Sequence, residues 1–284
     1  MPLDIDLWGT RGSIPTPGAG TIRYGGNTPC VTVRGPSGRR LILDAGTGIR
    51  ALGRQLERQI GAEPEDLTIL LSHTHWDHIQ GLPFFAPLYR RGYRIRFMGP
   101  GQPGQSLESV IRAQMTPAVF PVPITALEAE WSVTEIAPGP VPVNGFEVAC
   151  TPLCHSGIAF GYRIGDTSGS MLAYLTDNEL GAPNAAECRP DIVRFLRGVD
   201  TLIHDAMYFE SEGRERIGWG HSTAVEAVEL AIEAGVRRLV LFHHAPEHDD
   251  DALERLLREA EQRRDRDGSA LEIALAVEGA TISC

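Results

Sequence analysis

An α/β fold, with two mixed β-sheets packed face to face and helices outside them, is predicted by three features of the chain. Strand-length apolar runs crowd its first part, helical periodicities flank them, and its last part alternates helix with strand. At 284 residues, 42% hydrophobic and 22% charged, the composition is that of an ordinary globular protein, and one domain spanning 1–284 is the expectation.

Leu3 to Trp8 alternates apolar with acidic residues and reads as a strand. The Gly- and Pro-rich stretch from Gly9 to Gly26 that follows is too long for a simple turn. Val31 to Arg34 and Arg40 to Leu43 read as strands joined by the hairpin signal Gly35-Pro36-Ser37-Gly38. Asp44-Ala45-Gly46-Thr47-Gly48 opens an amphipathic helix reaching Ile60, and Leu67 to Leu71 is again a strand, so this part is a β-β-α-β unit. Strands are expected at Tyr93 to Met98, Trp131 to Ile136, Phe146 to Thr151, Ala159 to Ile164, Met171 to Tyr174 and Thr201 to Ile203, with helices at Ser106 to Met115 and Cys188 to Leu196. The chain then alternates: helix Thr223 to Ala234, strand Arg238 to Phe242, helix Asp250 to Arg264, strand Leu271 to Val277. Pro117 to Pro123 reads as an ordered loop, because Val119, Phe120 and Val122 interleave the prolines.

The chemistry concentrates at His73-Thr74-His75-Trp76-Asp77-His78, directly after an apolar strand. This H-x-H-x-D-H spacing presents three imidazoles and a carboxylate from one loop, and those donors suit zinc, manganese or iron. Three further candidates each stand where a buried strand gives way to a loop: His155, Asp177 and His243. His244 competes with His243, since alternation along a strand turns only one of two neighbours toward a common site.

On these motifs the chain resembles the metallo-β-lactamase superfamily over nearly its whole length. Asp44 in Leu43-Asp44-Ala45-Gly46 looks like that superfamily's first motif, His73 to His78 the second, and His155, Asp177 and His243 the remaining three. The resemblance implies a four-layer αβ/βα sandwich with a dinuclear site along one edge. It also implies that His73, His75 and His155 hold one divalent metal ion, that Asp77, His78 and His243 hold the other, and that Asp177 bridges them. Zinc is the first expectation. Asp44 would orient a ligand from behind; its plainer reading is a cap on the following helix.

His204-Asp205-Ala206-Met207-Tyr208, Gly220-His221-Ser222-Thr223 and Leu241-Phe242-His243-His244 occur in an order that resembles the phosphodiesterase branch, which includes phosphoribosyl 1,2-cyclic phosphate phosphodiesterases and ribonuclease Z. The resemblance makes His221 the acid that protonates the leaving group, against a plain helix-capping role. Asp205 is expected to fix the tautomer of His221 or of a ligand, against a simple buried cap. Asp77 is expected to bind metal with one oxygen and orient the attacking water with the other. Asn27 and His244 are candidate substrate contacts, although Asn27 in a glycine turn also reads as a turn residue.

The expected substrate is a small cyclic phosphate or cyclic nucleotide, attacked by a water that the two metals activate. A carboxylic ester, thioester or lactone hydrolase, or a tRNA 3′-processing endonuclease, is the alternative. Only 21 residues separate His155 from Asp177, which leaves no room there for a tRNA-gripping arm. The formal charge of −11 also disfavours nucleic acid and acidic membranes as partners. A second copy of the chain is a further expected partner. Five cysteines without a C-x-x-C pair, and no long apolar run, predict a soluble cytoplasmic protein.

Overall fold

A computed structural model describes residues 3–36, 38–58, 66–143, 145–167 and 169–284. The first sheet contains β1 (Asp4–Gly9), β2 (Cys30–Arg34), β3 (Arg40–Leu43), β4 (Asp66–Leu70), β5 (Arg94–Gly99) and β6 (Glu130–Glu135). The second contains β7 (Gly139–Val141), β8 (Glu147–Pro152), β9 (Phe160–Gly165), β10 (Met171–Leu175), β11 (Thr201–Asp205), β12 (Arg238–Phe242) and β13 (Glu272–Leu275). The last strand, β14 (Thr281–Ser283), returns to the first sheet beside β1, and the orders are β14-β1-β2-β3-β4-β5-β6 and β13-β12-β11-β10-β9-β8-β7.

Both sheets are mixed. β3 to β6 run parallel, as do β10 to β13, and the other pairings are antiparallel. Parallel strands are covered on both faces, which is why β12 reads as the unbroken apolar run Leu239-Val240-Leu241-Phe242. Alternation still decides which layer each residue enters. Ile203, Val240 and Phe242 face the inter-sheet core with Leu43, Leu70, Tyr162 and Tyr174. Leu202, Leu239 and Leu241 face the helices instead.

On the outside, α1 (Ile49–Arg58) packs Ile49 and Leu52 on Ile42 and Ile69 of the first sheet. The second sheet is covered by α4 (Ala185–Leu196), α6 (Ala224–Ala234) and α7 (Asp250–Arg266). Short helices α2 (Trp76–Ile79), α3 (Leu107–Ala113) and α5 (Glu210–Gly213) complete the set. Local chemistry fixes the ends of α6: the Thr223 hydroxyl accepts from the Glu226 N–H, the Glu226 carboxylate accepts from the Thr223 N–H, and Gly235 closes the helix at φ 71°. The segment before Thr223 is thereby held at the sheet edge, where it carries His221.

The two-sheet, helix-covered sandwich matches the expected fold. The sequence reading misplaced some boundaries. α4 begins at Ala185 rather than Cys188 and keeps Pro190 inside, because a proline removes only one backbone donor and the flanking Ala185-Ala186-Glu187 are good helix formers. The short β7, β14 and α5 carry too few residues for a periodic signal. Gln59 and Ile60, the expected end of α1, lie outside the described residues. No helix among the described residues is long and apolar enough to cross a membrane.

Ile203 is fully buried between the sheets, two residues before Asp205. Ile203→Ala should cost about 2–5 kcal/mol, read as a lower denaturant midpoint at unchanged slope. A loss well under 1 kcal/mol would contradict its place in the core.

Candidate metal centre

The strands of both sheets deliver their ends to one edge. Asp44 follows β3, Ser72 and His73 follow β4, Asp177 follows β10, Asp205 ends β11 and His243 follows β12. Asp44, Asp177 and His243 turn the chain there with φ of 58°, 52° and 62°, a left-handed conformation that side chains with a Cβ rarely adopt. Each such residue costs on the order of 1–3 kcal/mol and persists only where the surroundings over-determine it.

Seven side chains converge in two groups that share Asp177: His73, His75 and His155 on one side, Asp77, His78 and His243 on the other; a third group places Asp205 and His221 with Asp177 and His243. His155 Nε2 lies 3.0 Å from His75 Nδ1. Asp177 Oδ2 lies 3.6 Å from His73 Nε2 and 3.8 Å from His155 Nε2. Its other oxygen, Oδ1, lies 3.1 Å from His78 Nε2 and 3.2 Å from His243 Nε2. Asp77 Oδ2 is 3.2 Å from His243 Nε2 and 3.3 Å from His78 Nε2. Donors held about 2.0–2.2 Å from a tetrahedral zinc stand about 3.3–3.6 Å from one another, so these separations match the edges of two coordination polyhedra meeting at Asp177. His73 Nε2 is buried and makes no hydrogen bond, which leaves its lone pair aimed into the cluster.

Electrostatics favours the same occupant. Burial pushes the Asp77 and Asp177 carboxyls up, but the imidazoles of His78 and His243 outweigh it and hold both well below the usual carboxylate range. Burial lowers His73 well below an ordinary imidazole, with the charge of His78 acting in the same direction, and burial likewise lowers His75 and His155. His78 goes the other way: burial is overcome by Asp177, Asp77 and Asp44, and it is raised well above the ordinary value. Without a cation, a proton on His78 offsets the buried carboxylates; a divalent ion would replace that charge and release the proton.

Behind these groups stands a set of fixed supports. The fully buried Asp44 accepts from Ser72 N at 2.7 Å, Ser72 Oγ at 2.9 Å, Tyr174 OH at 2.8 Å and His78 Nδ1 at 2.8 Å. It therefore orients His78 and does not serve as a helix cap. His155 Nδ1 donates to Gly220 O at 2.9 Å. Glu179 in turn accepts from Gly218 N at 2.6 Å and Gly220 N at 2.7 Å. Ser13 N donates to Asp77 Oδ2 at 2.8 Å. Its loop is tied down by the buried Arg11 guanidinium, which donates to Gly25 O, Ala245 O and His248 O. Gly12 has no room for a side chain, since a Cβ there would collide with the His243 ring. Sequence reasoning missed Ser13, Arg11, Tyr174 and Glu179. Only Glu179, two residues past Asp177, carried a signal that could have found it.

His221 lies beside the cluster, its ring stacked on that of His243 with centroids 4.9 Å apart. Its Nδ1 meets Asp205 Oδ2 at 2.6 Å. Burial disfavours charge on His221, but Asp205 overcomes it and the imidazole is pushed up to about 9. Asp205 Oδ1 also accepts from Met207 N and Ser222 N, so the carboxylate is fixed and Nε2 is the nitrogen it leaves available.

Of the two expected substrate contacts, half-buried Asn27 donates its amide to Glu278 Oε1 at 2.6 Å and so ties its loop, and the other is corrected. His244 is fully buried, with Nε2 on Ala276 O at 2.9 Å, and burial pushes its imidazole down to about 3. The left-handed turn at His243 sends the two rings to different places.

A two-sheet αβ/βα sandwich whose strand ends gather this His/Asp cluster is a metal-dependent hydrolase fold. Residues 39–244 match the Beta-lactamase superfamily domain, and the chain belongs to the metallo-β-lactamase superfamily, as its motifs led us to expect. Membership and cluster together imply divalent metal ions. The chain is similar to a ribonuclease Z of Gemmatimonas aurantiaca, 27% identical and covering 98% of each chain. Its fold is similar to that of a diphosphatase from the PhnP family (TM-score 0.68, 20% identity, 99% and 98% of the two chains). It is also similar to that of Zn(2+)-bound PqqB from Methylobacterium extorquens (TM-score 0.66, 19% identity, 99% and 100%).

Asp44→Asn should weaken zinc binding about 10- to 100-fold, because a ligand loses the group that orients it. Asn27→Ala should leave zinc affinity within about twofold, since Asn27 lies outside the supports such effects act through. Competition titration with a chromophoric chelator reads both; equal effects would place the two residues in the same role.

Proposed function

We propose that the chain hydrolyses a small phosphodiester, a cyclic phosphate or cyclic nucleotide being the expected class. His73, His75 and His155 would hold one divalent ion and Asp77, His78 and His243 the other, with Asp177 shared between them. Zinc is the first choice: the donor set suits it, and the similar PqqB structure is Zn(2+)-bound. When bound, such a pair lowers the pKa of a water and neutralises charge on phosphoryl oxygens. The rest falls to the chain. Ser13 N fixes the Asp77 carboxylate, and the Glu179–Gly220–His155 series fixes the opposite wall. Asp205 holds the Nδ1 proton of His221 and favours a second proton on Nε2, and it is the Nε2 proton that passes to the departing alkoxide.

The observation that carries this reading is the Asp205–His221 pair, which stands against Asp177 and His243 with Asp205 on Nδ1 and Nε2 left available as the donor. An alkoxide leaving a phosphodiester is a strong base and depends on such an acid. The similarity to proteins described as ribonuclease Z and as a PhnP-family diphosphatase supports phosphorus over acyl carbon. Small size is supported by the 21 residues between His155 and Asp177, which are occupied by β9 and β10, and by the net charge of −11. Five free cysteines fit a reducing compartment, and the reading places the chain in the cytoplasm.

His221→Ala should retain both metals, while turnover of diesters with poor leaving groups falls about 10²-fold or more and nitrophenyl esters suffer less. Asp205 raises the pH at which His221 gives up its proton, and the acid is lost as pH rises through that value. Asp205→Asn removes the carboxylate that raises this value, so the limb of activity that falls with rising pH should move to lower pH. An unmoved limb would separate Asp205 from the acid.

Hydrolysis of cyclic phosphates by the zinc-loaded protein should change less than about twofold between roughly 50 and 200 mM salt, with precursor tRNA left uncut. Efficient, salt-sensitive cleavage of precursor tRNA at its 3′ end would transfer the site to the nucleic-acid reading. Preferred hydrolysis of a lactone or thioester would transfer it to the acyl one.

A further inference from the structure

Three of the large apolar side chains that stay exposed sit on segments that bear or support the site. Trp76, 67% exposed, stands between His75 and Asp77, and Ile14 follows Ser13, whose N–H holds Asp77. Trp219 is 63% exposed and directly precedes Gly220, whose carbonyl accepts from His155.

The Trp219 side of the site is continuous with the acid. The Tyr208 ring lies edge-on to His221, with centroids 6.0 Å apart. The Arg216 guanidinium lies 4.7 Å from the centre of the Tyr208 ring and 5.6 Å from that of Trp219. Imidazole, guanidinium and indole are thereby joined into one wall backed by the buried Tyr208 ring, and Glu179 holds the backbone on both sides of Trp219. Arg216 is engaged by two rings and by Glu212 at 3.6 Å, so the exposed recognition element of the wall is the indole face.

His221 protonates the leaving oxygen, so the carbon skeleton attached to that oxygen runs along this wall. We propose that Trp219 is a stacking platform for the leaving group, and that the preferred substrate is a phosphodiester whose leaving alcohol carries a planar ring, as a nucleoside does. This rests on the phosphodiesterase reading above. In the step itself the water oxygen bonds to phosphorus, the bond from phosphorus to the ring-bearing alkoxide breaks, and the His221 proton passes to that alkoxide. A proton from the water restores His221.

The test compares methyl 2-phenylethyl phosphate with methyl propyl phosphate on the zinc-loaded protein, following release of the longer alcohol from each. The two alcohols have nearly equal basicity, so the demand on His221 cancels. The expected preference in kcat/KM for the phenylethyl diester is about tenfold or more, the size of a base stacked on an aromatic side chain. Trp219→Ala should bring the ratio near one and Trp219→Phe should restore most of it. An independent readout is quenching of tryptophan fluorescence by the inert phosphonate analogue of the phenylethyl ester, present in the wild type and lost in Trp219→Ala. A ratio near one in the wild type, with good turnover of both, overturns the platform and leaves the phosphodiesterase reading standing. Turnover of neither diester, with a lactone hydrolysed, sinks that reading and the platform with it. A concentration-dependent dimer whose formation abolishes the quenching assigns the patch to a second copy of the chain and also overturns it.

Discussion

The carboxylate of Asp44 is the interaction on which the rest of the site depends. It stands at the end of β3 in one sheet, accepts the hydroxyl of Tyr174 from the other, and takes Ser72 and His78 from the segment that bears most of the imidazoles. A buried carboxylate is tolerated only when its lone pairs are filled and its charge is matched; here four hydrogen bonds and the raised His78 do both. The same oxygens thus register the two sheets against each other and set the orientation of one ring in the cluster. Loss of any one donor would leave part of a charge buried without compensation, a larger penalty than the hydrogen bond alone is worth.

Backbone strain is confined in the same way. The residues other than glycine with positive φ among those described are Ser13, Asp44, Asp177 and His243, and every one of them touches the cluster or its supports. Such conformations are unfavourable in isolation, so packing elsewhere must offset them. The cores on the two faces of the sheets do so by fixing the strands up to Leu43 and Phe242 between the sheets and Leu175 under the helices, after which the chain has little choice but to turn.

This also explains what the sequence could and could not disclose. His73 to His78 was legible because its donors lie within six positions, and His155 and Asp177 because each closes an apolar strand. The choice between His243 and His244 was not, since alternation along a strand stops holding once the backbone leaves the β region at His243. The tie from Asn27 to Glu278 was not legible because the partner lies 251 residues away. The Ser13 and Gly220 contacts are made by backbone groups, which every sequence contains and none advertises. Layers and sheets were readable from apolar runs, whereas β7, with Pro140 at its centre, and the three-residue β14 form by adding to edges that already exist.

The sharing of Asp177 between the two groups sets a sequence in time. A ribosome completes His73, His75, His155 and Asp177 first; β10 can already pair with β9 to bring His155 and Asp177 together, and Phe160 N can bond Ser72 O beside His73. His243 emerges 66 residues later (243 minus 177), and it can be seated only after β12 has added to β11. The loop that holds Asp77 through Ser13 waits as well, because Gly12 is fastened to His244 O and Arg11 to Ala245 O. One half of the centre can thus assemble on the nascent chain while the other half depends on its last quarter, so the two halves become competent to capture an ion at different moments of synthesis.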